Sequence, residues 1–74
     1  MKIAILGSGG REHALAFSIS RSKEVNKIYC IPGNAGTSEI AENILIDLGN
    51  FKNIYNFLKK NNVDLVVVGP EDPL

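Results

Sequence analysis

The sequence predicts a doubly wound α/β fold, a parallel sheet in the order 3-2-1-4 with helices on both faces. Three observations predict it. A short apolar run at residues 3–6 meets three glycines within residues 7–10 and then a helix-favouring segment. Further apolar or β-branched runs, at residues 27–31 and 65–68, alternate with helical patterns, as in βαβ units. Loops bearing glycine and proline follow two of these runs, and the glycine turn follows the first.

Each element has a local reason. Ile3, Ala4, Ile5 and Leu6 are continuously apolar, which suits a strand buried on both faces. A helix is expected from about residue 12 to 21, well buried because Ala14, Leu15, Ala16, Phe17 and Ile19 make it mostly apolar. No Ser, Thr, Asp or Asn directly precedes Arg11 as a cap, so a bound anion could satisfy the first N–H groups instead. Residues 22–26 read as a polar loop and KIYCI, 27–31, as a second strand that Pro32 ends. Residues 38–42 suit one helical turn, and residues 43–48 (NILIDL) a short third strand. Asn50 can cap a helix whose apolar stripe is Phe51, Ile54, Tyr55 and Leu58, with Asn61 or Asn62 in the left-handed closing position. Leu65 to Val68 is the strongest strand signal. Right-handed crossovers then give a Rossmann-like sheet, in which the first and fourth strands are neighbours and the winding reverses between them. Ligands of such sheets bind at that reversal, beyond the carboxyl ends of the strands. The loops at residues 7–11, 32–37 and 69–74 should therefore converge on one crevice.

Composition narrows the classes of partner. Hydrophobic residues make up 45% and charged residues 22%, and eight basic side chains balance eight acidic ones. No basic stripe points to nucleic acid, and no apolar run reaches the roughly 18 residues of a membrane span. No signal peptide is evident at the N-terminus, so a cytoplasmic protein is expected. Cys30 lies alone in an apolar run and reads as a buried structural residue. The 74 residues make one small domain, and the sequence stops just after an apolar run, so a fragment of a longer protein is expected.

Strand, glycine turn and helix make a phosphate-binding arrangement, and the sequence argues against a dinucleotide. Gly7 and Gly9 match the first two glycines of G-x-G-x-x-G, but Glu12 stands at the third, where bulk and negative charge oppose a pyrophosphate. No acid ends the second strand to take a ribose hydroxyl, and no P-loop is present.

GSGGREHA at residues 7–14, PGNAGT at residues 32–37 and VVGPEDPL at residues 67–74 occur in order and with suitable spacing. Together they resemble the N-terminal, pre-ATP-grasp domain of glycinamide ribonucleotide synthetases, over the whole chain. Asp72 stands where that family usually has Ala or a similar residue. The resemblance implies a ligase of purine biosynthesis that joins phosphoribosylamine to glycine through an acyl phosphate. ATP and magnesium (or manganese) would be bound by ATP-grasp domains beyond residue 74, and the small-molecule partners would be phosphoribosylamine and glycine. It implies that this domain helps to hold the ribosyl phosphate and carries no catalytic residue. Two other readings stay open: a nucleotide-sensing module without catalysis, and a sister ATP-grasp ligase.

The residues themselves supply the same chemistry. Gly9 and Gly10 offer backbone donors and Arg11 a cation for a ribose 5-phosphate, while Asn34, Thr37 and Glu71 can serve hydroxyls or an amine. Glu12 and Gly36 complete the candidate substrate-binding set, and no metal-ligand spacing is evident. Each has a plainer reading. The glycines also read as a plain turn, Arg11 as a solvated helix start, Glu12 as a dipole partner and Asn34 with Gly36 as turn chemistry. His13 reads as structural. Glu71, a lone acid near the reversal and flanked by Pro70 and Pro73, favours a ligand role.

Glu71→Gln in a full-length ligase carrying this domain is expected to raise the KM for the ribosyl substrate about tenfold, since losing charge assistance on a hydrogen bond costs about 1.5 kcal/mol. Steady-state kinetics check this, with the KM for ATP and glycine unchanged; an unchanged ribosyl KM returns Glu71 to solvent.

Overall fold

The computed structural model of the chain describes residues 1–7, 9–34 and 36–68. Along the chain run β1 (Lys2–Gly7), α1 (Gly10–Ser20), β2 (Lys27–Pro32), a 3-10 turn (Thr37–Glu39), β3 (Glu42–Asn43), α2 (Phe51–Lys60) and β4 (Leu65–Val68). The four strands form one parallel sheet in the order β3-β2-β1-β4. The expected order therefore holds, with β1 and β4 neighbours and the winding reversing between them.

Register explains the layers. Lys2 pairs with Lys27 and Gly7 with Pro32, while Ile3 pairs with Leu65. Successive residues of a strand face opposite sides. Ile3, Ile5, Ile28 and Cys30 thus share one face and meet Ala16 of α1, with Leu15 and Ile19 packed at the edge. Tyr29 points the other way and meets Phe57 of α2 edge to face, centroids 5.0 Å apart. The central strands are buried on both sides, as a continuous apolar run requires: Ala4, Ile5, Cys30 and Ile31 are fully enclosed.

Both helices differ from expectation in how they bury. α1 begins at Gly10, and only Glu12 and Ala16 are buried in it. Its apolar residues are not confined to one stripe, so Leu15, Ala16 and Ile19 face the sheet while Phe17 stays 52% exposed under the Arg21 guanidinium. α2 is capped as expected, Asn50 Oδ1 accepting from the Asn53 N–H at 3.2 Å, and Asn62 takes the left-handed position at φ 55°. Its inner stripe is Ile54, Phe57 and Leu58, because Phe57 is drawn to Tyr29; Phe51 and Tyr55 are mostly exposed. Lys59 lies over the exposed Tyr55 ring.

The third strand is also a correction. It spans Glu42–Asn43 rather than residues 43–48. Ile44 N–H still reaches the Cys30 carbonyl at 2.8 Å, but Ile46 N–H then turns back to the Ile44 carbonyl, which ends the ladder and leaves Leu45 exposed. Pro32 closes β2 from inside the strand, after a cis peptide bond. Lys27 and Glu42 form an exposed ion pair at 2.8 Å beside this short edge, and that hydrogen bond holds the Lys27 ammonium pKa above its ordinary value. Among the described residues no helix is long and apolar enough to cross a membrane.

Ile5→Val removes one methylene at the sealed centre of the sheet and is expected to lower the unfolding free energy by about 0.5–1.5 kcal/mol. Asn50→Ala, which leaves a first-turn N–H of α2 without its acceptor, should cost about 1 kcal/mol. Urea denaturation followed by circular dichroism checks both.

Candidate functional site

The glycine turn is shaped from below by Glu12. Gly7 leaves β1 at φ 145°, a conformation that L side chains rarely adopt, and a Cβ there would lie 2.4 Å from Glu12 Cγ. The Glu12 side chain therefore fills the space that a glycine at the third position of a dinucleotide turn would leave empty. Its Oε1 accepts from the Gly9 N–H at 2.6 Å, the half of a capping box that a glycine cap allows. Glu12 is 1% exposed, and its Oε2 is buried without a hydrogen-bond partner among the described residues. The acidic side chain is thus spent on the turn itself.

Gly10 differs from Gly7 and Gly9. A Cβ on Gly9 would meet Glu12 Oε1 at 2.9 Å, whereas a Cβ on Gly10 would meet nothing within 4 Å among the described residues. Among the described residues nothing demands a glycine at Gly10 on steric grounds. The open space lies at the first residue of α1, where backbone N–H groups have no acceptor within the helix. Arg11, next in the chain, is exposed at the same end.

The second loop is held against the first. Gly33 N–H donates to the Gly7 carbonyl at 3.2 Å where the two strands end. Asn34 Nδ2 donates to the Gly9 carbonyl at 3.1 Å, and Asn34 Oδ1 accepts from the Thr37 N–H at 2.9 Å. Thr37 is fully enclosed; its hydroxyl accepts from the Asn34 N–H at 2.8 Å and lies 2.7 Å from Asn43 Oδ1. The His13 ring packs on Gly36, where a Cβ would come 2.8 Å from Nδ1. The structure therefore brings Gly9, Gly10, Arg11, Glu12, Asn34, Gly36 and Thr37 into one corner of the carboxyl edge of the sheet. Gly10 and Arg11 are exposed, while the polar groups of Glu12 and Thr37 point inward. Glu71, with the loop at residues 69–74, lies outside the described residues.

Asn43 escaped the sequence reading. It bonds both Asn34 and Thr37, yet in the sequence it is one polar residue at the start of an apolar run, and the signal that would have found it is the notch at Gly33. Beneath the loop, Cys30 is fully buried; burial pushes its thiol pKa up, a hydrogen bond with Thr37 opposes this, and the Glu12 charge adds to the rise. That favours the thiol over a nucleophilic thiolate. An open cleft of about 580 Å³ between Lys27 and Asn43 lies along the β3 edge and includes none of the glycine-turn residues.

The chain matches, over residues 1–74, the family described as phosphoribosylglycinamide synthetase, N domain. It is 49% identical over 74 residues to a phosphoribosylamine–glycine ligase of Clostridium acetobutylicum, covering all of this chain and 18% of that protein. The ligase of Synechocystis is 50% identical over 76 residues, again with 100% and 18% covered. A trifunctional purine biosynthetic protein of Chironomus tentans is 46% identical over 78 residues, covering 99% of this chain and 6% of its own. Among solved structures, the phosphoribosylamine–glycine ligase of Thermotoga maritima superposes with a TM-score of 0.71 at 28% identity, covering 92% of this chain and 15% of that one. The chain thus spans less than a fifth of the length of these relatives.

Thr37→Val keeps the shape of the side chain and removes the acceptor of the part-buried Asn34 N–H. It is expected to lower the unfolding free energy by about 1 kcal/mol, the cost of one lost hydrogen bond, read by chemical denaturation.

Proposed function

We propose, because the chain belongs to the phosphoribosylglycinamide synthetase N-domain family, that it forms the substrate-holding part of a phosphoribosylamine–glycine ligase. That enzyme would join phosphoribosylamine and glycine, with ATP, to give glycinamide ribonucleotide, ADP and phosphate in the cytoplasm. The observation that supports the holding role is the open space at Gly10. The 5-phosphate would sit there, at the N-terminal end of α1, with the Arg11 guanidinium as counter-charge. An anion at a helix N-terminus gains about 0.3–1 kcal/mol from the dipole when exposed, and each charge-assisted hydrogen bond about 1.5–3 kcal/mol.

The remaining residues act by shape. Glu12 holds Gly9 and fills the room over Gly7 that a pyrophosphate turn would leave open. Asn34 and Thr37 keep the second loop against the first, so the ribose meets one rigid edge. Glu71 would serve the ribose hydroxyls or the amine. The described residues include no group of three or more His, Cys, Asp or Glu that could hold a metal. ATP and its metal would be bound by other parts of the ligase.

The test is a graded pair of substitutions in a full-length ligase carrying this domain. Gly10→Ala should leave thermal stability unchanged or slightly raised, since Ala favours a helix over Gly by about 1 kcal/mol. Calorimetric affinity for glycinamide ribonucleotide should nevertheless fall, and Gly10→Val should lower it about tenfold or more, roughly 1.4 kcal/mol. Affinity for ATP should not change. Equal weakening of both ligands, or of neither, removes the phosphate from this turn.

A further inference from the structure

A run of side-chain hydrogen bonds crosses the carboxyl edge of the sheet from β3 to the glycine turn, and its outer member is Asn43. β3 is only two residues long, but it is well fixed: Cys30 pairs with Asn43, and the Ile44 N–H reaches the Cys30 carbonyl at 2.8 Å. From that base Asn43 Nδ2 donates to the Asn34 carbonyl at 2.7 Å. The Thr37 hydroxyl lies 2.7 Å from Asn43 Oδ1 and 2.9 Å from the Asn34 carbonyl, and it has one proton to give. The Asn34 carbonyl already accepts from Asn43 Nδ2 and from the Ser38 N–H, so the proton goes to Asn43 Oδ1. The carboxamide is then satisfied at both ends in a single orientation. It also fills a notch made by Gly33, at φ 78°, where a Cβ would lie 2.1 Å from Asn43 Oδ1.

We propose that Asn43 is a positioning residue for the ribosyl-phosphate site, acting through Asn34 on the peptide between Gly9 and Gly10. The inference rests on the reading that residues 9–11 hold the phosphate. Its physical core is peptide planarity. The Gly9 carbonyl and the Gly10 N–H belong to one trans unit and point in opposite directions. The Gly9 carbonyl accepts from the His13 N–H at 3.3 Å, the first bond of α1, and from Asn34 Nδ2 at 3.1 Å, so Asn34 adds a second, sideways restraint on the peptide whose other side carries the Gly10 N–H. Asn34 can do this only while its own main chain is fixed, and Asn43 with Thr37 fixes it. A side chain that touches no ligand thereby helps to set the aim of the donor that does.

Asn43→Asp tests the inference in a full-length ligase carrying this domain. The variant is nearly isosteric and keeps the acceptor for the Thr37 hydroxyl, but it turns an oxygen toward the Asn34 carbonyl. The KM for phosphoribosylamine should rise about three- to tenfold, the size expected for roughly one hydrogen bond. The kcat at saturating substrate and the KM for ATP should stay within about twofold of the parent, since the loss is one of substrate binding alone. Lys27→Ala, on the same strand pair, should change neither. A double-mutant cycle separates positioning from general loosening: Asn34→Ala and the pair Asn34→Ala/Asn43→Asp should show the same KM, because the second substitution acts through a contact already lost. Costs that multiply, a KM for ATP that rises in step, or an unchanged ribosyl KM would overturn the role of Asn43. If Asn43→Asp fails to fold, Asn43→Ser, which is shorter and uncharged, takes its place in the same comparisons. The reading beneath it is judged separately: when Gly10→Val weakens substrate binding and Asn43→Asp does not, only the positioning role fails.

Discussion

The turn from β1 into α1 depends on one contact, that of the Glu12 side chain with Gly7. A strand that must reverse into a helix within a few residues needs a backbone state closed to side chains, and Gly7 supplies it at φ 145°. The room left by the missing Cβ is then filled by Glu12 from the first turn of the helix, whose Oε1 also takes the Gly9 N–H. The same residue packs the turn, caps the helix and consumes one donor. A carboxylate buried to 1% exposure, with one oxygen that has no partner among the described residues, is costly in isolation, and here the backbone geometry of the turn depends on it.

The second loop extends that constraint sideways. Asn34 connects the Gly9 carbonyl to the Thr37 N–H, and Asn43 ties both to the short β3 strand. Hydrogen bonds among enclosed amides and a hydroxyl are directional, so they fix relative orientation in a way that apolar packing does not. The apolar side chains hold the sheet together, and the polar side chains at its carboxyl edge set how two loops face the crevice. The chain with this division matches less than a fifth of the length of the ligases it is similar to.

Much of this was legible in the sequence. The glycine turn, the Asn50 cap and the Asn62 closing position are local devices, written within a few residues of where they act. The strand order followed from crossover handedness, which holds for almost any sequence with this alternation of elements. The failures were of another kind. Residues 43–48 carry a strand-like pattern, yet the ladder ends after Asn43 because Ile46 bonds back to Ile44. In α2, two apolar stripes overlap, and only the Tyr29 ring on β2 selects the one that contains Phe57.

The sequence by itself determined the class of fold, the place of the glycine turn and the family to which the motifs belong. These rest on short-range pattern: the period of apolar residues, the spacing of glycines, and residue types that suit a helix start. Tertiary structure decided which of the candidate residues face outward. Glu12, Asn34 and Thr37 look as able to meet a ligand as Gly10 and Arg11 do when read along the chain. Folding turns the polar groups of Glu12 and Thr37 inward and commits the Asn34 carboxamide to Gly9 and Thr37, because their partners lie on Gly9, Asn34 and Asn43. A hydrogen bond depends on where two groups meet in space, and residues 9 and 34 meet only after β1 and β2 have paired.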